Sequence, residues 1–68
     1  MITVTANGRP VELPDGATFV ALLETLGVPP KAVAAMEHNG EAVARADHAT
    51  RPLSDGDRIE LVRAVAGG

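Results

Sequence analysis

Ile2 and Val4 alternate with Thr3 and Thr5, and the alternation resumes at Val11 and Leu13 after Asn7-Gly8. A period of two marks a strand with one buried face. Asn-Gly is the strongest short hairpin signal, because both positions accept positive φ. Residues 2–13 therefore predict a hairpin, which Pro14-Asp15-Gly16 punctuates. The period then changes. Phe19, Leu22, Leu23 and Leu26 fall at i, i+3, i+4 and i+7, one face of a helix of about ten residues. Thr18 is its expected N-cap and Gly27 its expected left-handed terminator, with Pro29-Pro30 barring continuation. So short a helix needs a sheet against its apolar face.

The next stretch is less periodic. The six alanines between Ala32 and Ala46 suit a helix on propensity alone. A second Asn-Gly, Asn39-Gly40, interrupts them and favours a strand over Val33–His38 with a short return over Ala42–Ala44. "ADHATRPL" reads as irregular and "SDGD" as a tight turn. "RIELVRAV" is a last strand with Ile59 and Leu61 on one face, and its alternation slips between Val62 and Val65. One helix after a hairpin predicts an α+β domain, the helix covering one face of a mixed sheet. Pairing the first and last strands in parallel at its centre, with the helix as crossover, is the β-grasp or ubiquitin-like arrangement.

Sixty-eight residues make one domain, 1–68, with a Gly-Gly-ended tail at 64–68 expected to be a flexible arm. At that size a single core rarely supplies more than about 3–5 kcal/mol. There is no Cys, so no disulfide, thiolate nucleophile or Cys-based zinc site is available. "MITVTANGRP" has no early basic residue and is broken by Asn7-Gly8, so it does not read as a signal peptide. No apolar run approaches the roughly 20 residues of a membrane helix. The expected location is the cytoplasm. A net charge of −3, from 9 acidic and 6 basic residues, argues against nucleic acid. With Phe19 the sole aromatic residue, base-stacking platforms are excluded as well.

Side chains offer little chemistry. His38 and His48 have no metal-type spacing and read as solvated surface residues, so no metal is expected. Asp55-Gly56-Asp57 lacks the spaced ligands of a calcium loop and reads as a turn. Ser54 has no partnered base nearby. Lys31, the single lysine, reads as exposed.

That elimination moves attention to the last residues, "RAVAGG". The plain reading is an idle end. The functional one is that Gly67 and Gly68 let a backbone enter a narrow slot, presenting the α-carboxylate as the reacting group. A carboxylate is a poor electrophile, because its charge repels nucleophiles and oxide is a hopeless leaving group. A mixed anhydride with AMP removes both obstacles, and a sulfur nucleophile can then displace AMP to leave a thiocarboxylate.

With Asn39-Gly40-Glu41, Arg45, "LSDGDRIELV" over 53–62 and "AVAGG" over 64–68, the chain resembles the ubiquitin-like sulfur carriers of the ThiS/MoaD family over nearly its whole length. Its short length and the "NGE…R" segment resemble the thiamin branch. Ala44 stands where that branch often has Pro, and Arg63-Ala64 where the molybdopterin branch commonly has one. The resemblance implies a β-grasp carrier that is not an enzyme and holds no cofactor, ATP being used by the activating partner. It implies adenylation of Gly68 by a ubiquitin-activating-like adenylyltransferase. A sulfur donor such as a cysteine desulfurase then supplies the sulfur, which passes to thiazole synthase. Gly68 would be the modified residue and Gly67 the steric gate, with Val65 and Ala66 seating the tail in partners. Asp55, Asp57 and Glu60 would steer it toward basic partners, or form a merely solvated strand end. The other readings are a carrier for molybdopterin, cysteine or tRNA thiolation, a protein modifier joined to lysines, and an interaction module whose end is idle.

Overall fold

The computed structural model describes residues 1–64. Ile2–Ala6 (β1) and Arg9–Leu13 (β2) form the expected hairpin, in register from Ile2 opposite Leu13 to Ala6 opposite Arg9. Asn7 and Gly8 make the turn with φ of 50° and 81°.

The helix, Phe19–Leu26 (α1), is shorter than the sequence suggests. Thr18 stands at its N-cap but makes no side-chain capping bond. It instead forms an isolated bridge with Pro52. Gly27 terminates α1 as expected, at φ 71°. Its N–H reaches the Glu24 carbonyl at 3.1 Å, and the Val28 N–H reaches that of Leu23 at 2.9 Å. That is a Schellman motif, with Val28 buried behind it.

After a 3-10 turn at Pro30–Ala32 come Val33–His38 (β3) and Glu41–Ala42 (β4), then a second 3-10 turn at Arg45–Asp47 and Arg58–Arg63 (β5). The return strand thus pairs one residue earlier than the expected Ala42–Ala44. Val43 leaves the ladder to fill the core, its N–H still bonded to the Met36 carbonyl at 2.9 Å.

The five strands are ordered β2-β1-β5-β3-β4, with β1 and β5 parallel at the centre as expected and the other pairs antiparallel. This is the mixed sheet and single helix of a β-grasp. The slip in the last strand also has a cause. β3 carries an irregularity between Val33 and Ala35, leaving Ala34 and Ala35 both exposed. Val33 faces Arg63 while Ala35 faces Val62, so β5 loses its clean alternation there. Ile59 is fully buried, Leu61 is half-buried and Val62 is exposed.

Phe19, Leu22 and Leu23 of α1 pack against Val4, Leu13 and Ile59 of the sheet, all essentially without exposed surface. Each such side chain contributes about 1.5–3 kcal/mol relative to exposure. The fourth residue of the helical stripe, Leu26, is only half-buried, packed against the margin of this core.

Candidate functional site

Strand β5 carries the chain's end out of the middle of the sheet, and three side-chain devices hold it. Asn7 lies at the tip of the first hairpin. Its Oδ1 accepts the Leu61 N–H at 2.7 Å and its Nδ2 donates to the Leu61 carbonyl at 3.0 Å. The amide thereby imitates one more residue of β1 and lengthens a parallel ladder whose register covers only Thr5 with Arg58 and Ala6 with Ile59. Asn39, at the tip of the second hairpin with φ of 53°, does the same work at the other end of β5. Its Oδ1 accepts the Arg58 N–H at 2.8 Å and its Nδ2 donates to Asp57 Oδ1 at 3.1 Å. Both Asn-Gly turns thus do two jobs, and the sequence pattern signals only the first.

Asp57 is the third device. Its Oδ2 accepts the Ser54 N–H at 2.7 Å and a bond from His38 Nε2 at 2.6 Å. Burial alone would raise its pKa. The bonds from Ser54, His38 and Asn39 outweigh that and hold the carboxyl below its ordinary value.

The two histidines are not the solvated residues expected. His38 is half-buried, with its ring edge-on to Phe19 at 5.3 Å between centroids. His48 is buried against the same ring at 5.8 Å, and desolvation, helped by the Arg45 charge, lowers its pKa. Phe19, the single aromatic residue, has collected both imidazoles as packing partners. Among the described residues no group of three or more His, Cys, Asp or Glu could hold a metal ion.

The acidic run also divides. Asp55 accepts the Thr3 N–H at 2.7 Å, and Asp57 is bound within the turn. Glu60 alone of the three stands on the open face of the sheet, directly opposite Glu37. Asp55 and Asp57 shape the turn before β5.

At the far end of β5, the Ala64 N–H bonds to the Ala32 carbonyl at 2.7 Å. Arg45 braces that corner, donating to the carbonyls of Pro30 at 3.1 Å and Val33 at 2.7 Å. Lys31 is exposed beside it, as expected. Glu41 pairs with Arg51, which lowers its pKa, the hydrogen bond contributing more than the charge. Of the motif residues, Arg45 thus braces the corner beside Ala64, Asn39 holds the opposite end of β5, and Glu41 pairs at the β4 edge of the sheet. Val65, Ala66, Gly67 and Gly68, the expected site residues, lie outside the described residues.

The profile of the ThiS family matches residues 3–68. The chain belongs to the ThiS family. A curated member, the sulfur carrier protein ThiS of Thermus thermophilus, is 42% identical over 65 residues, covering 96% of this chain and 98% of its own. The crystal structure of the thiamine biosynthesis protein ThiS from Geobacter metallireducens superposes with a TM-score of 0.77 at 28% identity, over 98% of this chain and all of that one. The solution structure of a thiamine biosynthesis protein from the same organism gives 0.76 at 29%, over 98% of this chain and 88% of that one. Among the described residues, no helix is long and apolar enough to cross a membrane.

Proposed function

We propose that the chain is a sulfur carrier of thiamin biosynthesis whose working group is the Gly68 carboxylate. The observation that carries this reading is the family match, which runs through residue 68 and so includes the Gly-Gly pair. The carboxylate attacks the α-phosphorus of ATP on a ubiquitin-activating-like adenylyltransferase, forming an acyl-adenylate and releasing pyrophosphate. A sulfur nucleophile fed by a donor such as a cysteine desulfurase attacks the acyl carbon and AMP leaves. Where that nucleophile is a donor persulfide, the product is an acyl disulfide; a thiol then attacks the donor's sulfur, forming a disulfide with it and releasing Gly68 as the thiocarboxylate, which thiazole synthase consumes. On this reading the chain is cargo for all three enzymes and catalyses none of the steps. Gly67 leaves the backbone slim enough for a narrow slot, and Val65 and Ala66 supply the apolar contacts that seat it. The braced end of β5 supports this division between a fixed body and a presented terminus.

Intact mass after incubation with ATP, the activating enzyme and a cysteine-derived sulfur source tests the proposal. The expected product gains the difference between one sulfur and one oxygen, located on the C-terminal fragment, and reverts when thiazole synthase and its substrates are added. One residue appended after Gly68 removes the gain, because the carboxylate then no longer reaches the depth the slot selects. An unchanged mass in the wild type, or an isopeptide on another protein, would overturn it.

A further inference from the structure

Between Arg63 and the terminal carboxylate stand Ala64, Val65, Ala66, Gly67 and Gly68, with no charged side chain among them. An enzyme that must select this chain's end reads little identity there. Five extended residues span at most about 18 Å, so an enzyme holding the carboxylate lies within that reach of Arg63.

Beside the end of β5 lies a groove of about 200 Å³, floored by Ala6, Leu26, Val28 and Leu61 and flanked by Arg9 and Arg63. Ala6 and Val28 are buried, Leu26 and Leu61 are half-buried, and both arginines are exposed. The volume falls below the roughly 300–1,000 Å³ of small-molecule pockets and suits an aliphatic side chain inserted from a partner. Its walls are preset, since the Asn7 amide ties the β1–β2 turn to Leu61. Among the described residues neither guanidinium has an ion-pair partner. Two exposed arginines beside an apolar floor, on a chain of net charge −3, are a local reversal of sign. Guanidinium groups take carboxylates through paired N–H donors.

We propose that this groove docks a segment of the activating enzyme that carries an aliphatic side chain beside a carboxylate, with Arg9 and Arg63 as the specificity-determining contacts. The proposal rests on the carrier reading above. Docking there sets the body of the carrier before the chain's end enters the slot, so its energy appears in KM rather than in kcat.

The test is ATP–pyrophosphate exchange driven by the full-length chain and the activating enzyme encoded in the same genome, with far-UV melting of each variant as a check on folding. Arg9→Glu and Arg63→Glu are each expected to raise KM about tenfold or more with kcat held within about twofold. Wild-type KM should rise with ionic strength more steeply than that of the variants. Arg51→Glu makes the same charge change beside Glu41, at the β4 edge of the sheet, and is expected to leave KM near wild type. Exchange with the wild type but no KM change in either groove variant overturns the groove while sparing the carrier reading. An equal rise in Arg51→Glu reduces the effect to net charge and also overturns it. A gain in kcat/KM on charge reversal would mean that the groove holds the chain's own carboxylate, which overturns it too. No exchange with the wild type removes both proposals together.

Discussion

Replacing Asn7 tests the idea that a turn side chain completes the central parallel pair. Asn7→Ala removes two hydrogen bonds to Leu61, each contributing about 0.5–1.5 kcal/mol. It also places a Cβ-bearing residue without a compensating polar group at φ of 50°, where the left-handed conformation costs about 1–2 kcal/mol. The expected loss is about 2–5 kcal/mol. A domain this small has only about 3–5 kcal/mol to lose, so the variant stands at the edge of unfolding. Asn7→Gly loses the same bonds without the dihedral penalty and is expected to cost about 1–3 kcal/mol. Urea titration followed by circular dichroism measures both, and hydrogen exchange at the Leu61 amide reports the broken bond directly. Two variants within about 0.5 kcal/mol of wild type, or an unchanged Leu61 amide, would refute the reasoning.

Leu23→Ala empties a position with almost no exposed surface between α1 and the sheet, and should cost about 2–5 kcal/mol by denaturant titration. Stability should also fall in two steps on acidification, read as melting temperature against pH. The lowered pKa of His48 lets the unfolded chain protonate first. The contribution is complete above the ordinary value of 6.5 and is lost as pH falls from there to the folded value, and His48→Leu should remove this step. The lowered pKa of Asp57 gives a contribution complete above 3.8 and lost as pH falls through its folded value.

The hairpin and the helical stripe were legible because each rests on a period or on an Asn-Gly turn, which are local signals, whereas the parallel pairing of β1 with β5 followed only from seeking a compact arrangement of the two best strands. What escaped was non-local. His38 and His48 look like surface residues in a polar context, and only the fold brings both against Phe19. Thr18 has the chemistry of an N-cap but makes no side-chain capping bond, and the segment it opposes, at Pro52, is far away in sequence. The slip in β5 was visible in its own residues, while its cause lies in Ala34 and Ala35 of the neighbouring strand. Arg45 could be singled out by resemblance, yet its hold on the carbonyls of Pro30 and Val33 crosses two loops that no spacing rule connects. The groove arginines come from strands at different ends of the chain, so no motif joins them.

The place of β5 also decides how the domain bears tension. A pull on the chain beyond Ala64 is directed along a strand bonded to β1 on one side and β3 on the other. Force along a strand axis slides the ladders against each other, so their bonds share the load. A terminal strand at the edge of a sheet, lifted sideways, would instead open one bond at a time like a zip. The Asn7 and Asn39 amides add rungs at opposite ends of the loaded strand. An enzyme that grips the end of this chain therefore draws on a body that yields as one piece.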